Sequence, residues 1–524
     1  MRRILDLPFL VILMGIGALA MLLPAAHALT LRDLHVARSF FYGAVLLLML
    51  TAMIGIATAN FHPRNAARSH LTALVAAYLV LPVLLAIPFH QALRDDTFLN
   101  AWFEMVSAFT TTGATLYDDP ARLPASMHLW RALVGWLGGF FVLLSAVAIL
   151  APLNLGGFEV ISGGAVGRST YGTSQITRIA DPSERITRYA LAIFPVYGGL
   201  TLVLWVLLLT AGDGGLVALC HAMSTLSTSG ISPGTGVAQS PSGGMGEAMI
   251  FVFLFFAISR RAFYGNIMSS TVVPIHRDPE VRMAVICLAV LPLVQFLQHW
   301  TGPYEKGTLA SALHGAQALW GSVFTTLSFL TTTGFVSQDW GASRNWAGPG
   351  SSGLILLGLA LIGGGVATTA GGVKLLRVYA LYRLGQREVE LLIHPNSVGG
   401  DGAVARRLRG EGAYVAWIFF MLFAISIAIV MAALTLTGLE FEPAMIFAVA
   451  ALSTTGPLVA VAAEAPLSYN SLGPAAKIVV ATGKYPVLGL ESWPVPHHTS
   501  SIPRPAPARG GGTKNKQEDA REQG

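Results

Sequence analysis

Four short segments rich in threonine, serine and glycine recur along this chain of 524 residues. They read TTTGAT, STSGIS, TTTGFV and STTGPL, and their glycines are Gly113, Gly230, Gly334 and Gly456. Rings of backbone carbonyls can replace the hydration shell of a monovalent cation. Glycine allows the positive φ that turns consecutive carbonyls to one side, and hydroxyls add ligands or hold the backbone in place. The four segments therefore indicate a cation site made of backbone.

Motifs for enzymatic chemistry are weak. Residues 230–234 fit GxSxG, but Pro233 lacks the N–H that this motif uses as an oxyanion donor. The sequence has no HExxH and no Walker A string. A membrane-embedded glycosyl or acyl transferase would need clustered acids or a His/Asp constellation, and none stands out. We predict that the protein is not an enzyme. Glu104, two helical turns before the first turn, is expected to support that turn through hydrogen bonds.

The composition indicates a membrane protein. Only 11% of residues are charged, 53% are hydrophobic, and the mean hydropathy is +0.61. A soluble domain has about 25% charged residues. The net charge of +6 is spread through loops and the tail rather than gathered in a patch, which argues against a nucleic-acid partner. The two cysteines stand apart in apolar runs, with no disulfide or metal-ligand spacing.

A common unit surrounds each turn, and the four units follow one another at intervals of about 100 to 120 residues. A long apolar segment leads, and a short one of about a dozen residues, such as 98–109 or 443–452, can enter a bilayer but cannot cross it. A trailing segment follows each turn. The leading segments are 71–89, 189–211, 281–300 and 414–436, and the trailing ones begin near Trp130, Gly246, Gly353 and Leu472.

Two further spans precede the units, 7–26 and 40–60. The first is favoured as an uncleaved helix over a signal peptide cut after Ala28. Arginines cluster between units and acids beside the turns, so the turns face outward and the N-terminus is cytoplasmic. We therefore predict an all-α integral membrane protein: two N-terminal helices plus four parallel helix/re-entrant P-loop/helix repeats around one pore. The predicted divisions are 1–66 (N-terminal helices), 67–165, 166–275, 276–395 and 396–483 (repeats one to four, the last helix incomplete) and 484–524 (a divergent, disordered tail).

Segment 363–374, inside the third trailing segment, is rich in glycine. Each glycine destabilises a helix by about 1 kcal/mol relative to alanine, so a break or a mobile loop is expected. Close packing between helices is the alternative explanation.

Several strings together carry a family resemblance. FEMVSAF before TTTGAT, RALVGWLGGF (131–140), GGGVATTAGGVK (363–374) and LIHPNSV (392–398) resemble the TrkH/KtrB family of bacterial potassium-uptake proteins, in the branch with two extra N-terminal helices. The likeness runs from about residue 1 to 483. It implies a homodimer in the lipid bilayer of the bacterial inner membrane, one K+ pore per chain, a cytoplasmic TrkA-type nucleotide-binding regulatory ring, and no organic cofactor.

The resemblance also assigns roles to residues. In related plant transporters, a serine at the position of the first glycine goes with sodium transport, so Gly113 favours potassium. The family also has a loop that gates the path below the filter, and Ala370 occupies a position in it where glycine is usual. The implied K+ filter is Thr111, Thr112, Gly113, Thr228, Ser229, Gly230, Thr332, Thr333, Gly334, Thr454, Thr455 and Gly456. The implied gating residues are Gly363, Gly364, Gly365, Thr368, Thr369, Gly371, Gly372 and Lys374.

Two alternatives stay open. Transport is either passive or a symport coupled to H+ or Na+. The sequence leaves both open, because it shows no intramembrane acid pair that would indicate a proton relay. The family's last helix should continue beyond residue 483 with an arginine that contacts the gating loop. Here five prolines follow between Pro486 and Pro505, which indicates either a diverged end or a shifted reading frame.

Overall fold

The computed structural model describes residues 9–58, 66–151, 182–259, 278–300, 309–346, 351–394 and 411–483, and every regular element in these ranges is a helix. The first ten helices are α1 (Phe9–Ala20), α2 (Leu22–Thr30), α3 (Leu34–Thr58), α4 (Ala66–Ala92), α5 (Phe98–Phe109), α6 (Ala125–Ser145), α7 (Pro182–Thr210), α8 (Gly215–Ser227), α9 (Gly243–Leu254) and α10 (Pro279–Trp300). The others are α11 (Leu309–Leu330), α12 (Trp340–Trp346), α13 (Ser351–Ile362), α14 (Leu375–Ile393), α15 (Glu411–Leu436), α16 (Phe441–Leu452), α17 (Leu458–Ala462) and α18 (Pro474–Thr482).

Long apolar helices form the frame of the molecule. Among the described residues, six helical stretches are long and apolar enough to cross a bilayer: Phe9–Thr30, Leu34–Thr58, Leu71–Ala92, Ala125–Leu150, Arg185–Thr210 and Ala413–Leu436. Their outer faces leave large apolar side chains uncovered, and Ile56, for example, is 80% exposed. Such faces suit lipid rather than water. The predicted all-α fold with many apolar spans is confirmed.

A helix ends at each of the four turns. α5 and α16 have 12 residues and α8 has 13, which agrees with the short segments that the sequence predicts. For the third turn the prediction is wrong, because α11 has 22 residues. The run before this turn has no proline after Pro303 and is rich in alanine and leucine, so nothing in it stops the helix earlier.

The third trailing segment breaks at the glycine-rich stretch. α13 ends at Ile362 and α14 begins at Leu375, and the chain between them is not helical. The fourth trailing segment has nine described helical residues, in α18, with Pro474 in its first turn. The tail predicted for 484–524 lies outside the described residues. Buried apolar side chains from the later helices, α7 to α18, together with some from α5 and α6, pack around the ends of α5, α8, α11 and α16 and so hold the turns in place.

Candidate ion pathway

The four turns end their helices in the same way. In each, the amide of the second residue of the turn donates to a carbonyl three residues earlier, and the next amide donates to a carbonyl five residues earlier. The second type of bond marks a Schellman-type helix end. Its four instances are Thr112 to Ser107 (2.8 Å), Ser229 to Ser224 (3.0 Å), Thr333 to Ser328 (2.9 Å) and Thr455 to Ala450 (2.9 Å).

The threonine at the bend of each turn has a left-handed backbone. The φ angles are 55° at Thr111, 52° at Thr228, 57° at Thr332 and 55° at Thr454. Positive φ is a marked outlier for a β-branched residue, and such strain costs about 1–3 kcal/mol per residue. Four equivalent strained threonines therefore indicate a functional backbone geometry that the surrounding structure enforces.

The turns contact one another in a closed cycle. A Cβ added at Gly113 would overlap the carbonyl oxygen of Ser229, and one at Gly230 would overlap that of Thr333. A Cβ at Gly334 would press on the ring of Pro457, at 2.9 Å, and one at Gly456 would overlap Ala114. Each turn thus packs against the next, and the fourth packs against the first. All twelve predicted filter residues lie in this ring of four turns.

A cavity and a loop lie on opposite sides of the ring. A cavity of about 360 Å³ is lined by all four glycines and by residues that follow them, including Asp118. The 363–374 loop contacts atoms that precede the glycines. The amide of Gly371 donates to Thr332 Oγ1 at 2.7 Å, and Thr369 Oγ1 donates to the carbonyl of Leu226 at 3.2 Å. The ring of turns therefore separates the loop from the cavity.

The loop is closely packed, bonded to α10 near its start and to itself near its end. Val366, Thr368 and Thr369 have at most 3% of their surface exposed. The Val366 amide donates to Glu280 Oε1 at 2.8 Å, and the Lys374 ammonium donates to the carbonyl of Ala370. Among the five predicted gating glycines, Gly371 is the one where an added Cβ would overlap the ring, at Ser453 and Thr454. The sequence predicts the break, but it does not predict this burial.

A buried ion pair supports the first turn. Glu104 Oε1 accepts hydrogen bonds from the Leu116 amide at 2.6 Å and from Thr115 Oγ1 at 2.9 Å. Glu104 Oε2 lies 3.0 Å from Arg131 Nε on α6. The hydrogen bonds predicted for Glu104 are therefore present, and the carboxylate faces the outer part of the turn rather than its carbonyls.

The second and third turns have different supports. His221, nine residues before Gly230 as Glu104 is before Gly113, lies 2.9 Å from Ser232 Oγ through its Nε2 atom. Behind the third turn, Glu247 Oε2 accepts from Ser337 Oγ at 2.7 Å and Oε1 accepts from the Gln338 amide at 2.7 Å. Equivalent turns are therefore held by chemically different side chains.

An acidic side chain also fixes the segment after the second turn. Asp213 Oδ1 accepts from Ser240 Oγ at 2.6 Å and from the Ser242 amide at 2.9 Å. Burial alone would raise the pKa of the Asp213 carboxyl. The interaction with His221, and after it the hydrogen bonds from Ser240 and Ser242, outweigh burial and lower the pKa to about 2. Asp213 is therefore ionised at neutral pH.

The fourth turn departs from the others after its threonines. Gly113, Gly230 and Gly334 have φ of 70°, 65° and 81°, whereas Gly456 lies outside the left-handed region. Its amide donates to the carbonyl of Thr112 at 2.6 Å, and its own carbonyl accepts from the Tyr469 hydroxyl at 3.1 Å.

The sequence alone does not predict three supporting side chains. Arg131 enters only as part of the string RALVGWLGGF, and Glu247 and Tyr469 have no predicted role. For Glu247 a signal exists, because an acid inside an apolar segment indicates a functional position by default. Tyr469 has no such signal, since it lies in a polar stretch well after its turn.

Comparisons with known proteins agree with this architecture. The family model TrkH, described as a cation transport protein, matches residues 37–234 and 249–481. The chain is similar to the Trk system potassium uptake protein TrkH of Escherichia coli K12, with 27% identity over 465 residues, covering 88% of this chain and 91% of the relative. For TrkH of Vibrio parahaemolyticus the identity is 28% over 462 residues, with coverages of 85% and 88%. The crystal structure of the potassium transporter TrkH from that organism has a TM-score of 0.75 and 25% identity, covering 94% of this chain and 97% of the other.

Proposed function

The chain belongs to the TrkH family of cation transport proteins, and from this membership we propose that it is the potassium-conducting membrane subunit of an uptake system. The observation that carries the proposal is the closed ring of four turns with left-handed threonines. Relatives that match most of the chain are potassium uptake proteins. K+ would be the transported ion, and catalysis is not part of the function.

In this proposal the ring is the selectivity filter. The ends of α5, α8, α11 and α16 point at the ring, so their negative dipole ends favour a cation there. Among the described residues, no hydrogen bond reaches the carbonyls of Gly113, Gly230 and Gly334, which leaves these oxygens available to an ion. A K+ ion would exchange water for these carbonyls as it leaves the cavity that the glycines line.

The glycine-rich loop is the gate in the same proposal. Its burial against the helix-end side of the ring supports this role, because an ion that has passed the glycines meets Gly371 and Thr369 next. The Cβ-free backbone of Gly371 permits this close approach. Displacement of the loop would open the path without changing the turns.

The remaining elements of the proposal concern the assembly. We infer an inner-membrane protein with a cytoplasmic N-terminus that forms a homodimer and is regulated by a cytoplasmic TrkA-type nucleotide-binding ring. The repeat boundaries in this proposal are those predicted from the sequence. Coupling of K+ to H+ or Na+ is the alternative mechanism that the experiment must separate from passive flow.

The test is K+ transport by the full chain. A host lacking its own K+ uptake systems should grow at low K+ when it expresses the protein, and proteoliposomes should take up Rb+ and K+ in preference to Na+ and Li+. Passive conduction predicts uptake that follows the K+ gradient alone, whereas a symporter requires an H+ or Na+ gradient. Absence of growth rescue and of Rb+ flux, with protein present in the membrane, would reject the proposal.

A further inference from the structure

Two carbonyls of the fourth turn accept hydrogen bonds from the residues that follow the turn. Pro457, with φ of −61° and ψ of −13°, follows Gly456 and lies at the N-cap of α17, directly before Leu458. Proline is suited to a helix start because its φ is already fixed near the helical value. The carbonyl of Thr455 therefore accepts from the Leu458 amide at 3.1 Å, and that of Gly456 accepts from the Val459 amide at 3.3 Å.

Tyr469 holds the same carbonyl from a second direction. Its hydroxyl donates to the Gly456 oxygen at 3.1 Å, and its side chain is 5% exposed. The aromatic ring is fixed between Phe447, with centroids 5.1 Å apart, and Phe103, with centroids 5.8 Å apart. A tyrosine packed in this way keeps its hydroxyl in one place, so the Gly456 carbonyl has two donors of its own.

The glycine level of the ring is consequently three-sided. The equivalent carbonyls of Gly113, Gly230 and Gly334 accept no hydrogen bond from the part of the chain that the structure describes. At the fourth position the Gly456 amide donates to the carbonyl of Thr112, so this N–H is directed at the neighbouring turn.

We propose that Pro457 and Tyr469 set ion specificity by withdrawing the Gly456 carbonyl, so that the glycine-level site offers three protein carbonyls. This inference rests on the proposed function, because it specifies the chemistry of the same filter. An ion at a three-sided site keeps a water on its open side. Discrimination between K+ and Na+ depends on the number and field of the coordinating carbonyls, so the missing ligand lowers it.

Two variants each remove one of the constraints on the Gly456 carbonyl. Tyr469→Phe removes the hydroxyl but keeps the packed ring, and Pro457→Ala removes the constraint that starts α17 after the glycine. Each should raise the K+/Na+ selectivity ratio, measured by competition with Rb+ uptake in proteoliposomes, by about two- to tenfold. This factor corresponds to the free energy of one net hydrogen bond. The matched control is Tyr197→Phe, whose hydroxyl also donates to a backbone carbonyl at 3.1 Å, that of Trp136 on α6.

The measurement is the inhibition of Rb+ uptake by increasing K+ or Na+, with the full-length protein and its thermal midpoint recorded in parallel. A selectivity ratio that rises in Tyr469→Phe or in Pro457→Ala, but not in Tyr197→Phe, supports the inference. An unchanged or lower ratio in every variant that folds, with normal wild-type flux, overturns it. If one of the two variants misfolds, the selectivity ratio of the other variant tests the inference. A wild-type protein without Rb+ flux would instead contradict the proposed function.

Discussion

The Nε atom of Arg131 lies 3.0 Å from the Oε2 atom of Glu104, with only 5% and 1% of the two side-chain surfaces exposed. Two charges in such a setting have lost most of their hydration, and each depends on the other for compensation. The second oxygen of Glu104 holds the Leu116 amide just after the first turn. The pair therefore links α6 to the segment that leaves the ring.

Breaking this pair should destabilise the protein strongly. Glu104→Gln keeps an acceptor for the Leu116 amide but leaves Arg131 without its counter-charge, and such a loss costs about 3–5 kcal/mol. Arg131→Met should have a similar effect. The double variant should be less destabilised than the sum of the two single ones. Unfolding in detergent, followed for all three, measures the coupling.

A surface ion pair provides the control for these single and double variants. Arg387 and Glu390 on α14 lie 3.7 Å apart, and the glutamate side chain is 59% exposed. Glu390→Gln should change the free energy of unfolding by less than about 0.5 kcal/mol. Strictly additive effects of Glu104→Gln and Arg131→Met would show that the buried charges do not interact.

Gly113→Ser should raise Na+ permeation relative to K+. The new Cβ would overlap the Ser229 carbonyl, so the first two turns must separate, and the hydroxyl adds a harder ligand at the proposed filter. The measurement is the Na+/K+ ratio in reconstituted flux. Gly198→Ser is the control, because a Cβ at Gly198 meets nothing within 4 Å. An unchanged Na+/K+ ratio in folded Gly113→Ser would contradict the proposal that Gly113 is part of the filter.

Deleting residues 366–371 should raise basal Rb+ flux and leave ion preference unchanged. The deleted segment includes Thr369 and Gly371, through which the loop contacts the ring, whereas the turns themselves stay intact. Flux and selectivity are measured in the same proteoliposomes. A deletion variant with wild-type flux would show that the loop does not block the path.

The sequence predicts those parts of the fold that depend on local chemistry. Apolar length gives the spans, and α5 begins at Phe98 and ends at Phe109 as its apolar run predicts. Glycine density in 363–374 correctly places the break between α13 and α14. The extra length of α11 is missed because an alanine- and leucine-rich run does not show where a half-helix should start.

The order of the ring and its supports depend on contacts between distant segments. Nothing in TTTGAT shows that Gly113 packs on Ser229, or that Tyr469 would reach Gly456 from a polar stretch. The four left-handed threonines are also unexpected, because intrinsic preference disfavours that conformation for a β-branched residue. Tertiary packing overrides local preference at these positions, which are the ones proposed to handle the ion.

Thr332→Val should raise basal flux, because it removes the hydroxyl oxygen that accepts the Gly371 amide at 2.7 Å. A buried amide without an acceptor costs about 1–3 kcal/mol, which would favour displacement of the loop by roughly five- to 150-fold at most. Thr332→Ser keeps the acceptor and should retain wild-type flux. Thr228→Val is the matched control, since the equivalent hydroxyl of the second turn donates to the carbonyl of Ser227 and, among the described residues, accepts no amide of the loop. Equal Rb+ flux in Thr332→Val and Thr228→Val would mean that this hydrogen bond does not hold the loop closed.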